Sequence, residues 1–281
     1  MTTDPDVSAG APEAGERLDA ALARRGLARS RTHAARLLAD GLVTVNGAGV
    51  VKASVRVREA DRLDVAGLDH YVSRAAHKLL AALDAFGVDP RGRVALDMGA
   101  STGGFTQVLV ERGAARVLAV DVGHGQLAAE IAALPEIAVV EGFNVRHMTR
   151  ASLAEASGVA DVPTLVTGDL SFISLTHVLP AAASVCAPAS DLVLLVKPQF
   201  EVGRTAVREG LVTDAGRRAD AVATVLWSAW DAGLGTHGVI ASPIAGTHGN
   251  REFLIHLRPG TSDGANPTQW LDTVNRLAGA A

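Results

Sequence analysis

Seven short apolar runs, separated by stretches with apolar residues at helical spacing, constrain this chain more than any other feature. They are "RVALDMG" (93–99), "RVLAVDV" (116–122), "IAVVEG" (137–142), "TLVTGDL" (164–170), "DLVLLVK" (191–197), "THGVIAS" (236–242) and "EFLIHLR" (252–258). A strand with water on one side alternates polar and apolar residues, so continuous runs predict a sheet covered on both faces. Strand alternating with helix predicts an α/β domain built on a doubly wound, mostly parallel sheet. The last two runs are joined by a loop rather than a helix, which predicts a hairpin carrying an antiparallel strand at one side of the sheet. At 281 residues the chain has room for such a domain and one small module.

Ligands of open sheets gather beyond the carboxyl ends of the strands. There, the first run leads into a glycine-rich loop and then a helix: "VALDMGASTGGFTQVL" (94–109). A dinucleotide site would read Gly-x-Gly-x-x-Gly and rest a pyrophosphate on the helix N-terminus. Here the glycines are Gly99, Gly103 and Gly104, preceded by Asp97. A carboxylate at that point repels phosphate and suits a cationic head group. A second acid, Asp121, ends the second run.

Lysine usage singles out a few further positions. The chain has 23 arginines and only three lysines, Lys52, Lys78 and Lys197. A guanidinium cannot release its proton, whereas a desolvated ammonium can, so a lysine in this background marks a place where arginine will not serve. Lys197 ends the fifth run and Asp169 the fourth, so both reach the edge where the glycine loop lies. Lys78, in "SRAAHKLLAAL" (73–83), falls on a helix just before the first strand, and Glu252 opens the last.

The net charge is −4, unevenly spread. Between Arg17 and Arg58 nine basic residues face only Asp19 and Asp40, a balance of +7, which leaves −11 for the rest. That asymmetry fits an arm for nucleic acid or another acidic surface, with a solvated charged face as the alternative. The segment predicts a short helix around Leu18 and Leu22 closed by Gly26, then a second helix capped by Ser30 and stopped by Gly41. Strands "LVTVNG", "SVRVR" and "DRLDV" follow, with Asn46-Gly47 as the tight turn between the first two. Arg24, Arg25, Arg29, Arg31 and Arg36 would project from this knob onto phosphates. "GLARSRTHAARLLADGLVTVNG" (26–47) resembles the alpha-L RNA-binding module of a small-subunit ribosomal protein and of several RNA-modifying enzymes.

The glycine loop and its acids resemble the first motif of S-adenosylmethionine-dependent methyltransferases. The resemblance implies that Gly99, Ser101, Gly103, Gly104 and Phe105 cradle this cofactor. Asp97 would then meet its methionine part directly or through water, Asp121 its ribose hydroxyls, and Asn144 its adenine edge. The fourth strand ends "GDLSFISL" in place of the proline-rich loop common in amine methylation, and Cys186 has no setting for attack on a pyrimidine ring. Lys78, Asp169, Lys197 and Glu252, in that order, resemble the Lys-Asp-Lys-Glu tetrad of FtsJ-like ribose 2′-O-methyltransferases. With "VSRAAHKL", "ASTGGFT", "DLSFISL" and "VKPQFEVG", the resemblance narrows to the TlyA, or haemolysin-A-type, ribosomal RNA methyltransferases, over residues 16–259.

That resemblance implies methylation of a cytidine ribose in 23S rRNA, and in some members 16S rRNA. The partner would be ribosomal RNA within ribosomal subunits, with no membrane and no obligate protein partner, in the cytoplasm. Lys197 would take or orient the 2′-hydroxyl proton with Asp169 holding it. Lys78, fixed by Glu252, would steady the developing oxygen charge. Arg204 and Arg208, in the glycine-punctuated loop after Lys197, are candidates to clamp a substrate phosphate, with solvation of that loop as the other reading. A non-catalytic ribosome-binding adaptor, and a haemolysin, are the competing functions.

The domains expected are a leader (1–15), the RNA-binding module (16–66), a linker (67–73), the methyltransferase domain (74–262) and a C-terminal helix and tail (263–281). The acidic, small-residue N-terminus lacks the basic start and apolar stretch of a signal peptide. A single cysteine excludes an internal disulfide and fits a reducing compartment. The histidines have no metal-ligand spacing, so no metal is expected, and Trp227 and Trp230 are expected in the core.

Overall fold

The computed structural model describes residues 15–28, 30–39, 41–65, 70–203, 209–246, 249–261 and 265–280. The chain forms two compact units, Met1–His70 and Tyr71–Ala281.

The first unit contains β1 (Glu16–Arg17), α1 (Leu18–Arg24), α2 (Arg31–Ala39), β2 (Val43–Val45), β3 (Ala48–Gly49), β4 (Arg56–Val57) and β5 (Leu63–Val65). Gly26 and Gly41 follow the helices with φ of 72° and 70°, a left-handed bend that a Cβ would strain. Ser30 Oγ accepts from His33 N at 3.1 Å as the expected N-cap. Leu18, Ala21, Leu22, Ala34, Leu38 and Val43 close the core of this unit.

The strand pairing departs from expectation. Asn46 and Gly47 (φ 51° and 83°) do form the tight turn, but it joins β2 to β3 at 48–49 rather than to "SVRVR". A two-residue turn pairs its immediate neighbours, here Val45 with Ala48, so the next strand has to start at once. "SVRVR" supplies only β4, paired antiparallel with β1, and β5 takes the other edge of β2.

The second unit runs α3 (Ala75–Phe86), β6 (Val94–Met98), α4 (Gly104–Glu111), β7 (Arg116–Val120), α5 (Ala129–Ala132), β8 (Ile137–Val140), α6 (Arg150–Ser157) and β9 (Leu165–Gly168). It continues with α7 (Leu179–Val185), β10 (Asp191–Val196), α8 (Pro198–Glu201), α9 (Ala215–Asp231), β11 (Leu234–Ala241), β12 (Phe253–Pro259) and α10 (Leu271–Ala278). All seven expected strands join one sheet in the order β11-β12-β10-β9-β6-β7-β8. Its strands from β6 to β10 pair parallel, and β12 lies antiparallel to both β10 and β11, which is the expected hairpin.

Alternate residues of each strand enter two separate cores, as a doubly covered sheet requires. On β10, Leu192, Leu194 and Val196 join the α6, α7, α9 and α10 side, whereas Val193 and Leu195 join the α3, α4 and α5 side. Arg218 on α9 ties α10 down by donating to Ala278 O at 2.8 Å. Trp227 does not enter the core as expected and is 39% exposed. Val222, Val225, Leu226 and Ala229 form the inward stripe of α9, and position 227 lies about 100° around from 226.

Topology fixes where a site can form. The chain fills β6, β7 and β8 outward in one direction, then crosses back to lay β9 against the other flank of β6. The loops leaving β6 and β9 therefore part in opposite directions, which opens a crevice at their carboxyl ends.

Candidate active site

The crevice is built by close approach of backbone. Asp169 N donates to Met98 O at 3.1 Å, which holds the end of β9 against the end of β6. Gly99 (φ 82°) turns the chain there, and a Cβ on it would lie 3.0 Å from Asp169 O. At Gly104 a Cβ would lie 2.8 Å from Ser73 Cβ, so the segment entering α3 can press onto the first turn of α4 only over glycine. Gly103 (φ 100°) is closed in by Leu127 and Ile131. Ser101 holds a left-handed φ of 48°, and its N–H donates to Asp121 Oδ2 at 2.8 Å.

A cleft of about 130 Å³ results, lined by Gly99 to Thr102, Gly104, Phe105, Ser73, Ala75, Asp169, Ser171 and Lys197. Lys197 follows β10 directly. Its Nζ stands 2.6 Å from Asp169 Oδ1 and donates to Ser171 Oγ at 2.8 Å. Asp169 Oδ1 is buried and accepts no aligned hydrogen bond, so its contact with the ammonium is one of charge.

The other two tetrad positions form a second, enclosed pair. Lys78 Nζ on α3 donates to Glu252 Oε2 at 2.5 Å, with the two residues 6% and 3% exposed. Sheet register brings Glu252 there. Val196 pairs with Phe253, so the residues one step beyond, Lys197 and Glu252, sit side by side at the carboxyl end of β10. Gly246 covers the Glu252 carboxylate so closely that a Cβ would run into it.

The acids of the loop divide in role. Asp97 is fully buried under the cleft, with Oδ2 accepting from Thr106 Oγ1 at 2.6 Å and Oδ1 from Thr167 Oγ1 at 3.0 Å. Both oxygens are thus engaged within the protein, and Asp97 clamps β6, α4 and β9 together instead of facing a ligand directly. Burial pushes its carboxyl up to about 6; the two threonine hydroxyls pull it down, and the nearby charge of Asp169 adds to the rise. Asp121 is half-buried at the surface, its Oδ1 accepting from Gly123 N at 2.8 Å, with lone pairs left on both oxygens. Asn144 is exposed, and its side chain accepts from Arg146 N at 3.0 Å, capping a short helical turn.

In the first unit the expected arginines are used unevenly. Arg24 pairs with Glu16 at 3.0 Å and with Glu59. Arg25 turns inward to the carbonyls of Asp61 and Arg58, both at 2.7 Å. Arg31 reaches Asp19, whose carboxyl is held down at about 2, chiefly by Arg17. Arg36 is exposed on α2 and enters no ion pair among the described residues. Arg29, Arg204 and Arg208 lie outside the described residues.

Sequence reasoning missed Ser171, the threonines on Asp97, and Gly246. It also missed a buried cluster at the opposite end of the sheet. There Asp191 takes Arg93 Nη1 at 2.6 Å, Arg258 Nε at 2.7 Å and His256 Nε2 at 2.8 Å. Burial raises the Asp191 carboxyl, but the hydrogen bonds from His256, Arg93 and Arg258 prevail and hold it well below the usual carboxylate range. Among the described residues no group of histidine, cysteine and acidic side chains is placed to hold a metal, and no helix is long and apolar enough to cross a membrane.

Residues 71–259 match the FtsJ-like methyltransferase family and residues 16–63 the S4 domain. The chain is 45% identical over 263 residues to the 16S/23S rRNA (cytidine-2′-O)-methyltransferase TlyA of Mycobacterium tuberculosis, covering 92% of this chain and 96% of that one. It is 33% identical over 242 residues to Hemolysin A of Brachyspira hyodysenteriae, covering 86% and 99%. A solved structure of a hemolysin-named chain from Streptococcus thermophilus superposes with a TM-score of 0.73 at 35% identity, covering 95% of this chain and 97% of that one.

Proposed function

Because the chain belongs to the FtsJ-like methyltransferase family, in its TlyA branch, we propose that it moves the methyl group of S-adenosylmethionine to the 2′-hydroxyl of a cytidine in ribosomal RNA. One observation carries this reading: the Lys197 amine, held by Asp169, opens onto the cleft formed by the glycine loop.

The donor set around the cleft fits that cofactor. Carboxylates at the ends of β7 and β9 and hydroxyls at Ser73, Ser101 and Ser171 suit a cationic, hydroxyl-bearing molecule, and among the described residues the lining presents no arginine for a phosphate. Gly99, Ser101, Gly103, Gly104 and Phe105 form the cradle, on a loop that Asp97 fastens from beneath. Asp121 is the acceptor for ribose hydroxyls, and Asn144 faces the adenine. When bound, the cofactor supplies an electrophilic methyl group.

The protein's part is to place the sugar oxygen and manage its proton. A 2′-hydroxyl is a weak acid, so it must be in line for attack while a neighbouring group takes or shares its hydrogen. Lys197 is that group, and Asp169 fixes where its nitrogen stands. The enclosed Lys78–Glu252 pair holds the end of β12 in place, with Lys78 steadying charge on the oxygen.

Residues 16–66 serve as the RNA-gripping module, 74–262 as the catalytic domain, 67–73 as their linker and 263–281 as a packing helix and tail. Arg36, exposed and in no ion pair among the described residues, is a contact for RNA phosphate on the first unit, and Arg24, Arg25, Arg29 and Arg31 are further ones. Arg204 and Arg208 are phosphate contacts on the catalytic domain. The substrate is rRNA within ribosomal subunits in the cytoplasm, the 23S molecule first and the 16S molecule as a second target. A binding-only adaptor needs neither a buried lysine at a glycine loop nor the second lysine–glutamate pair.

Incubation with methyl-labelled S-adenosylmethionine and purified 30S and 50S subunits, then mapping of the ribose mark, tests this function. Label in a cytidine 2′-O-methyl of 23S rRNA is expected. Subunits that bind the protein and never gain label would overturn the proposal.

A further inference from the structure

Lys197 Nζ has two polar partners among the described residues, Asp169 Oδ1 at 2.6 Å and Ser171 Oγ at 2.8 Å. An amine nitrogen is tetrahedral, with one direction taken by Cε. The Ser171 hydrogen bond fixes a second direction and the Asp169 carboxylate, held by charge rather than by an aligned hydrogen bond, crowds a third, which leaves one side for the remaining N–H of the ammonium or the lone pair of the neutral amine. Ser171 lines the cleft with Lys197 and the glycine loop, so the choice of that direction is made at the cleft wall.

Resting on the methyl-transfer function above, we propose that Ser171 is a positioning residue that turns the open valence of Lys197 toward the ribose 2′-oxygen. With the amine neutral, one N–H goes to Ser171 Oγ, the other lies on the Asp169 side, and the lone pair faces the cleft. The 2′-oxygen then forms its bond to the methyl carbon as the carbon–sulfur bond breaks. Sulfur leaves with that electron pair, and the hydroxyl proton passes to Lys197, giving an ammonium. Asp169 alone fixes one contact and leaves the amine free to swing about it.

The surrounding structure holds Ser171 to this task. Phe172, the next residue, adopts a left-handed φ of 66°, an uncommon conformation for a large side chain. Two residues further on, Ser174 Oγ donates to Glu201 Oε2 at 2.5 Å and Leu175 N donates to Glu201 Oε1 at 3.0 Å. Glu201 ends α8, which begins directly after Lys197. The segments after β9 and β10 are thereby fastened to each other just beyond the Lys197–Ser171 contact. Burial raises the Glu201 carboxyl, and the hydrogen bonds from Ser174 and Leu175 pull against that rise.

Single-turnover and steady-state methylation of 50S subunits by Ser171→Ala, Ser171→Thr and Ser171→Cys test the proposal, alongside S-adenosylmethionine binding by calorimetry. Ser171→Ala is expected to lower kcat about 10- to 100-fold, the scale for a misaimed reacting group, with KM and cofactor Kd within threefold of the parent. Thr restores the acceptor and should return kcat to within about threefold, while Cys, a weak acceptor, should behave like Ala. An unchanged kcat in Ser171→Ala, or a loss confined to KM, overturns the role of Ser171 and leaves the methyltransferase intact. A parent protein that transfers no methyl overturns the function on which the role rests.

Discussion

The ammonium of Lys78 and the carboxylate of Glu252, 174 positions apart in the chain, meet at 2.5 Å with almost no exposure to water. Removing one member of a buried ion pair strands the other charge, which typically costs about 3–5 kcal/mol, whereas replacing both with apolar residues of similar size is often neutral. Glu252→Gln should therefore lower the urea midpoint strongly. The double variant Lys78→Met/Glu252→Leu should recover most of that stability and stay inactive, which separates the pair's part in folding from its part in methyl transfer.

Gly246 makes a narrower test of the same pair. Its open side is filled by the Glu252 carboxylate, so Gly246→Ala has to displace one of them. Overpacking of this kind costs about 1–3 kcal/mol. We expect that loss in chemical denaturation, together with a fall in kcat well beyond what the destabilisation explains.

Asp97 predicts a pH dependence. Its folded carboxyl sits near 6 against an ordinary 3.8, so the folded state holds the proton more tightly than the unfolded chain. As pH rises from about 4 to 6 the unfolded chain ionises first, and stability falls. The gap of about two pH units corresponds to about 3 kcal/mol at neutral pH, taking about 1.4 kcal/mol per unit. Asp97→Asn, which keeps an acceptor for Thr106 and never ionises, should be more stable than the parent at pH 7.5, with the difference closing toward pH 4.5. Thermal melting across that range checks the sign.

On the RNA-binding unit, Arg25 and Arg36 should respond differently. Arg25 spends its guanidinium on backbone carbonyls, so Arg25→Ala should cost about 1–3 kcal/mol of stability. Arg36 is exposed and enters no ion pair among the described residues, so Arg36→Ala should leave stability within about 0.5 kcal/mol. It should also lower the salt slope of subunit binding by about one. Binding isotherms between low and moderate salt, paired with urea titrations, distinguish the two.

Where chemistry coincides with a local pattern, the chain is legible before it folds. Continuous apolar runs mark all seven strands because both faces of the sheet are covered, and Lys197 and Asp169 stand out because they end such runs in a chain nearly without lysine. What stayed hidden is set by register and packing. Asp191 meets His256 and Arg258 only because β10 pairs with β12, and Thr167 meets Asp97 only because β9 pairs with β6. Strands β1 and β4, of two residues each, are too short for any periodicity to announce them. The place of Asp97 at a strand end gave no sign of Thr106 and Thr167, the hydroxyls that bond it once alternation along β6 turns it into the interior.

Lys197→Arg isolates the proposed transfer of the hydroxyl proton to the Lys197 amine, since arginine keeps the charge and cannot give up its proton. With labelled S-adenosylmethionine on 50S subunits, cofactor and subunit binding should stay within a few-fold of the parent while methyl transfer falls at least about 100-fold. Methyl transfer at a near-normal rate would contradict that role of Lys197.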